Sequence, residues 1–191
     1  RRVLFRSQSD GFTINGSTGN DTITGSSGAD IIIGGTGVDS MTGGSGVDVF
    51  SFATKDRDTI TDFTSGTDKI ELSNAAFGQI GNGDNTITGV LSSATSFAFN
   101  ATHELVILSA DVSSFTTSAV ASALQSRMDT GAGTYSSNSD VIFVVDNGIN
   151  SAIFHFNSSG ADNTISSTEL TLIATLNGVT TTQLTDYTFV A

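Results

Sequence analysis

Large apolar residues recur every nine positions near the start of the chain, at Ile14, Ile23, Ile32, Met41 and Phe50. Small or polar residues fill the gaps between them. That rhythm is neither the 3.6 of a helix nor the 2.0 of a long strand. It predicts three-residue strands, each with its central side chain inward, separated by tight bends. The rhythm breaks after Phe50, where the next glycine position is Phe52. Ile60, Phe63, Ile70 and Leu72 then alternate with polar residues. Further on, Glu104–Leu108 reads as a strand and 82–95 as a loop with a short strand. Phe115–Met128 reads as a helix, with Ala119, Val120, Leu124 and Met128 at helical spacing and Gly131 past its end. Asp140–Val145 and Ala152–Phe156 flank Asp146-Asn147-Gly148 as a hairpin. The alternation Leu170, Leu172, Ala174, Leu176 favours a strand over 169–176.

From Gly16 the chain divides into four nonapeptides, GSTGNDTIT, GSSGADIII, GGTGVDSMT and GGSGVDVFS. Each has Gly at positions one and four and Asp at six, the Asp residues being Asp21, Asp30, Asp39 and Asp48. The second position is Gly only in the last two copies, as Gly35 and Gly44. This resembles the RTX, or hemolysin-type, repeat G-G-x-G-x-D-x-U-x, which binds calcium. The resemblance implies a parallel β-roll in which two nonapeptides make one coil and residues eighteen apart stack. Ile14, Ile32 and Phe50 would then line one sheet, and Ile23 and Met41 the other. Asp21 and Asp39 would share one Ca2+, and Asp30 and Asp48 another on the opposite edge. Carbonyls of the bends at Gly19, Gly28, Gly37 and Gly46 would complete an all-oxygen shell at about 2.3–2.6 Å, which suits calcium rather than zinc or copper. Glycines at positions one and four are expected to supply positive φ. Phe12 stands where a preceding Asp would be, so the bend before Gly16 reads as a degenerate cap. The outward residues of one sheet are Thr22, Thr24, Ser40 and Thr42, and those of the other are Ile31, Ile33, Val49 and Ser51. The second sheet is therefore expected to be covered by the rest of the chain.

Asp58-Thr59-Ile60-Thr61-Asp62-Phe63, followed by Gly66, Asp68, Ile70, Glu71 and Leu72, resembles the segment that closes the roll in serralysin-type C-terminal domains. Ile60, Phe63, Ile70 and Leu72 should cover the open end. Asp58 or Asp62 could add a calcium ligand or simply be solvated. Residues 76–191 resemble the bluetail family of C-terminal domains on bacterial surface proteins, through DVIFVVDNG, AIFHFNSSGADNTISSTELTLIATLNGVT and the ending Thr185–Ala191. That likeness implies export through the type I secretion machinery. Asp162, Ile165 and Glu169 match positions five, eight and twelve of an EF-hand loop. However, Ser158, Gly160 and Asn163 do not fit it, so a turn with a capped element is the other reading.

The 191 residues include 21 Gly, no Pro and no Cys, and carry a net charge of −12. Disulfides and thiolate metal sites are excluded, and nucleic acid is disfavoured by the sign of the charge. No apolar run is long enough to span a membrane. Arg1–Ser7 reads as translated sequencing adapter; its arginines mimic the start of a signal peptide, but no apolar core follows them. The chain is expected to comprise an adapter and capping turn (1–15), a calcium-binding roll (16–54), a closing segment (55–75) and a secretion-associated tail (76–191). The fold class expected is mainly β, a parallel β-roll followed by a small α+β part with one helix.

Catalysis is not expected. His103-Glu104 opens like a metalloprotease motif but meets Ile107 where the second His belongs. His155 reads as a packed or surface residue, and neither a G-x-S-x-G elbow nor a phosphate-binding loop occurs. The role implied is a calcium-dependent folding and secretion module at the C-terminus of an exported surface protein, acting at the cell surface or in self-association. The alternative is the same module on an exported hydrolase.

Overall fold

The computed structural model describes residues 2–4, 9–78, 80, 89–92, 104–127, 140–160 and 164–191. The protein is mainly β, built from parallel rungs, with one α-helix among the described residues. Most of the loop and strand expected over 82–95 lies outside them. Each nonapeptide forms one three- or four-residue strand with its central apolar residue buried. These strands are β3 (Thr22–Thr24), β4 (Ile31–Ile33), β5 (Ser40–Thr42) and β6 (Val49–Phe52), and β1 (Arg2–Leu4) and β2 (Thr13–Asn15) precede them. Alternate strands pair in parallel: Ile14 lies beside Ile32 and Ile32 beside Phe50, while Ile23 lies beside Met41. The eighteen-residue coil and the two inward rows are as the sequence spacing implies.

The segment expected to close the roll instead adds another rung. β7 (Asp58–Ile60) pairs with β5, and β8 (Lys69–Ser73) pairs with β6, at offsets of 19 and 20 residues. Ile60, Phe63, Ile70 and Leu72 are all buried there. The end of this rung is in turn continued by the C-terminal part. β13 (Leu170–Leu176) pairs in parallel with β7, and β14 (Tyr187–Val190) with β8. β9 (Gly89–Ser92), β10 (Leu105–Asp111), β11 (Asp140–Asp146) and β12 (Ser151–Asn157) extend from β13. The result is one nine-stranded sheet, β1-β3-β5-β7-β13-β12-β11-β10-β9, and one five-stranded sheet, β14-β8-β6-β4-β2.

The expected covering of the second sheet is therefore overturned. Ile31 is 41% exposed, and Ile33 and Val49 are only partly buried. The tail meets the roll edge to edge because the last rung's unpaired N–H and C=O groups need partners. A flat hydrophobic face has no such requirement. Asp186 fixes the junction. Fully buried, it accepts from Ser65 Oγ (2.7 Å), Gly66 N (2.9 Å) and Gln183 N (2.9 Å).

β11 and β12 form the expected hairpin. Seven successive residues of β11 are buried, since its sheet is covered on both faces. On one face Ile142, Val144 and Ile153 join the core that runs through the roll. On the other, Phe143, Phe154 and Phe156 pack with Val120 and Leu124 of the helix α1 (Thr117–Arg127). No helix among the described residues is long and apolar enough to cross a membrane.

The exposure difference within β4 gives a direct check. Ile32→Ala should cost about 2–5 kcal/mol, whereas Ile31→Thr should stay within about 0.5 kcal/mol. Denaturant unfolding at saturating calcium measures both.

Candidate metal centre

Each bend between strands is held by an aspartate that reaches back to the bend before it in the stack. On one edge Asp21 N donates to Asp39 Oδ1 (2.7 Å) and Asp39 N to Asp58 Oδ1 (2.8 Å). On the other edge Phe12 N donates to Asp30 Oδ1 (2.7 Å), Asp30 N to Asp48 Oδ1 (2.9 Å) and Asp48 N to Asp68 Oδ1 (3.1 Å). The structure thus brings Asp21 and Asp39 together, with Asp58 next in line. It brings Asp30 and Asp48 together on the opposite edge. Phe12 can replace an aspartate because the first bend contributes only its backbone N–H to this ladder.

The glycines divide the work differently from the expectation. Positive φ occurs at position four in Gly19, Gly37 and Gly46, and at position two in Gly35, Gly44 and Ser17. It does not occur at position one. There a Cβ on Gly16, Gly25, Gly34 or Gly43 would collide with Oδ2 of Asp21, Asp30, Asp39 or Asp48 respectively. Position one must therefore be glycine to leave room for its own repeat's carboxylate. Gly28 departs from the other position-four glycines and has no positive φ, because its bend is built around Ser26. Ser26 N donates to Asp30 Oδ2 (2.6 Å), and Ser26 Oγ accepts from Gly28 N (3.0 Å). Gly19 O and Gly28 O lie against Gly37 and Gly46 of the next bend, so these carbonyls face the space between bends.

All four repeat aspartates, with Asp58 and Asp68, are buried. Burial pushes the Asp39 carboxyl above its usual range, reinforced by repulsion from Asp21 and Asp56. Burial raises Asp48 to about 6, with Asp68, Asp30 and Asp62 adding to it. It raises Asp58 to about 7, with Asp39 and Asp56 adding to it. Asp39 Oδ2 is buried without a hydrogen-bond partner. Crowded, desolvated carboxylates of this kind fit a hard dication with oxygen ligands. No three Asp, Glu or His side chains converge on one point among the described residues.

Two carboxylates in the ladders' surroundings, Asp68 and Asp56, escaped the sequence reading as site residues. Asp68 repeats the Gly-x-Asp spacing of the nonapeptides through Gly66, a signal that was there to be read. Asp56 accepts from Gly37 N (3.0 Å) with no motif to announce it. Asp62, weighed as a ligand, has both oxygens on protein donors, Gly43 N (2.9 Å) and Gly44 N (2.8 Å).

Elsewhere the candidate chemistry resolves into packing. Glu169 accepts from the N–H and hydroxyl groups of both Ser159 and Ser166. Burial alone would raise its carboxyl, but these four donors outweigh it and hold the group below its usual range. It caps a turn, and Asp162 lies outside the described residues. His103 also lies outside them. His155 is buried, with Nε2 2.6 Å from Asp140 Oδ1 and 3.0 Å from Phe77 O.

Residues 13–50 match the family model of the RTX calcium-binding nonapeptide repeat, in four copies. The likeness to RTX repeats covers that segment and not the rest of the chain. No curated protein matches the chain. RTX repeats bind calcium, and the four repeat aspartates of the two ladders lie within the matched segment. The match ends at Phe50, whereas the ladders run on to Asp58 and Asp68.

The raised carboxyls set a pH dependence with a definite sign. A carboxyl whose folded pKa exceeds its unfolded value favours folding at low pH and opposes it as pH rises through the folded value. In chelator, the roll should therefore lose stability between about pH 4 and about pH 7, the range spanned by Asp48 and Asp58. In calcium the trend should reverse, since the ligands must be ionised. Thermal unfolding at pH 5 and pH 7.5, with and without chelator, tests both halves.

Proposed function

We propose that this chain is a calcium-dependent folding and secretion module of an exported protein, without catalytic activity of its own. The observation that carries the reading is the pair of buried aspartate ladders, whose negative charges are stacked one rung apart and shielded from water. Without a counter-ion the bends repel one another, and their glycines are entropically costly to order. With calcium bound, the positive charge offsets that repulsion, so binding free energy becomes folding free energy. The aspartates then hold adjacent bends together, and the apolar residues Ile23, Ile32, Met41 and Phe50 stack behind them.

Extracellular calcium modules work at about 10⁻⁴–10⁻³ M. A roll with that affinity stays unfolded at cytosolic calcium and folds outside, which suits passage through a type I secretion channel as an extended chain. The RTX repeats support this route, as does the likeness of residues 76–191 to bluetail domains. The same likeness favours a surface protein as the whole, with an extracellular or cell-surface location.

Circular dichroism of the chain in millimolar calcium and in excess chelator provides the test. A β spectrum in calcium that collapses on chelation is expected. Identical spectra in the two conditions would remove the coupling.

A further inference from the structure

Position two of the nonapeptide is serine twice, and the two serines behave differently. Ser17 adopts a φ of +80°, close to the +101° of Gly35 and +106° of Gly44 at the same position. Its N–H donates to Asn15 Oδ1 (2.9 Å). Ser26 has no such acceptor two residues back, because Thr24, which carries no carbonyl oxygen in its side chain, stands there. Ser26 does not adopt positive φ. Its N–H enters its own bend and donates to Asp30 Oδ2 (2.6 Å). Its hydroxyl donates to the same oxygen (3.0 Å) and accepts from Gly28 N (3.0 Å). Both residues are buried, so water does not compete for these groups.

The consequence falls on Asp30. Its Oδ1 accepts from Phe12 N (2.7 Å), and its Oδ2 accepts from the two Ser26 donors. Asp39 accepts from Asp21 N through Oδ1, and its Oδ2 is buried without a partner. Among the described residues, Asp48 accepts through Oδ1 only, from Asp30 N. These repeat aspartates are therefore not equivalent. Asp39 and Asp48 each keep one oxygen without a protein donor, and Asp30 keeps none. The cation expected from the spacing to lie between Asp30 and Asp48 is matched on the Asp48 side alone. The same closure recurs at the far end of that edge, where Thr64 N donates to Asp68 Oδ2 (2.8 Å) across the same separation of four residues.

We infer that Ser26 takes the place of a cation at the bend 25–30: its N–H and hydroxyl hold the Asp30 carboxylate, and Asp30 is not a calcium ligand. A buried carboxylate needs either positive charge or hydrogen-bond donors around it, and here the donors suffice. The first aspartate bend on this edge closes on protein groups, so the four repeats take up calcium unequally. The inference rests on the calcium reading of the repeats and departs from it at this one bend.

Calorimetric titration of the full chain with calcium, comparing wild type, Ser26→Gly, Ser17→Gly and Asp30→Asn, tests it. Circular dichroism at saturating calcium checks that each variant folds. Ser26→Gly gives the bend the residue found at Gly35 and Gly44 and releases Asp30 Oδ2. It should bind one calcium more per chain than wild type. Ser17→Gly alters a bend that already has the glycine conformation and should keep the wild-type count, as should Asp30→Asn. A wild-type count in Ser26→Gly overturns the inference, whether or not Asp30→Asn folds. An equal gain in Ser17→Gly also overturns it, since the effect would then be general to position two. So does the loss of one calcium in an Asp30→Asn chain with the wild-type spectrum, because Asp30 would then be a ligand. A wild-type chain that takes up no calcium is a different failure, that of the repeat reading itself.

Discussion

A carboxylate that reaches back about eighteen residues to a backbone N–H is the contact on which the roll is organised. It satisfies a buried donor at each bend, which a three-residue strand cannot do for itself. It also fixes the register, because only one residue of each bend can offer that carboxylate. The cost is electrostatic: one full charge is buried per bend, directly above another. Asp39, Asp48 and Asp58 register that cost as carboxyls displaced towards the protonated form. Both features follow from one geometry, so the residues that order the bends are the same residues that crowd negative charge there.

The rest of the molecule is arranged to end that stack. A roll of parallel rungs always presents two open edges, and open edges invite pairing with other chains. Here β13 and β14 take the two edges of the last rung, and the hairpin β11–β12 carries one sheet onward. Asp186 secures the second edge by the device used within the repeats, a buried carboxylate on a neighbouring bend's N–H. In this case Ser65 Oγ and Gln183 N add further donors. No cation is needed where donors suffice, and the same holds for Glu169 among its serines.

The period of nine made much of this legible. It located the inward residues Ile14, Ile23, Ile32, Met41 and Phe50 and the pairing partners of each, because inward placement and stacking are both encoded by spacing. It did not show what lies beyond the outer face. Ile31 and Ile33 looked like a covered surface, yet nothing in an alternating pattern distinguishes a docked face from an exposed one. The glycines were misassigned for a related reason. Composition reveals that a Cβ is forbidden at position one, but not whether φ or a neighbour forbids it. At Gly34 the neighbour is the Asp39 carboxylate. Asp56 was invisible because it lies outside the repeat and acts through a backbone N–H nineteen residues away.

The two parts of the chain differ in what apolar burial can do for them. Each nonapeptide of the roll contributes one large inward side chain, and a rung touches only the rungs beside it, so stability accumulates rung by rung. β11, by contrast, is buried along all seven residues, with Phe143, Phe154, Phe156, Val120 and Leu124 on one side and the continuous core on the other. Its sheet does not rest on stacked charges. The interior of residues 140–160 and 164–176 is therefore held by ordinary hydrophobic packing, while residues 13–68 carry stacked, buried carboxylates at their bends. Because β7 and β8 join the two by backbone pairing, the packed part offers the roll a finished edge to build on, and the electrostatic cost falls on the bends rather than on the sheet as a whole.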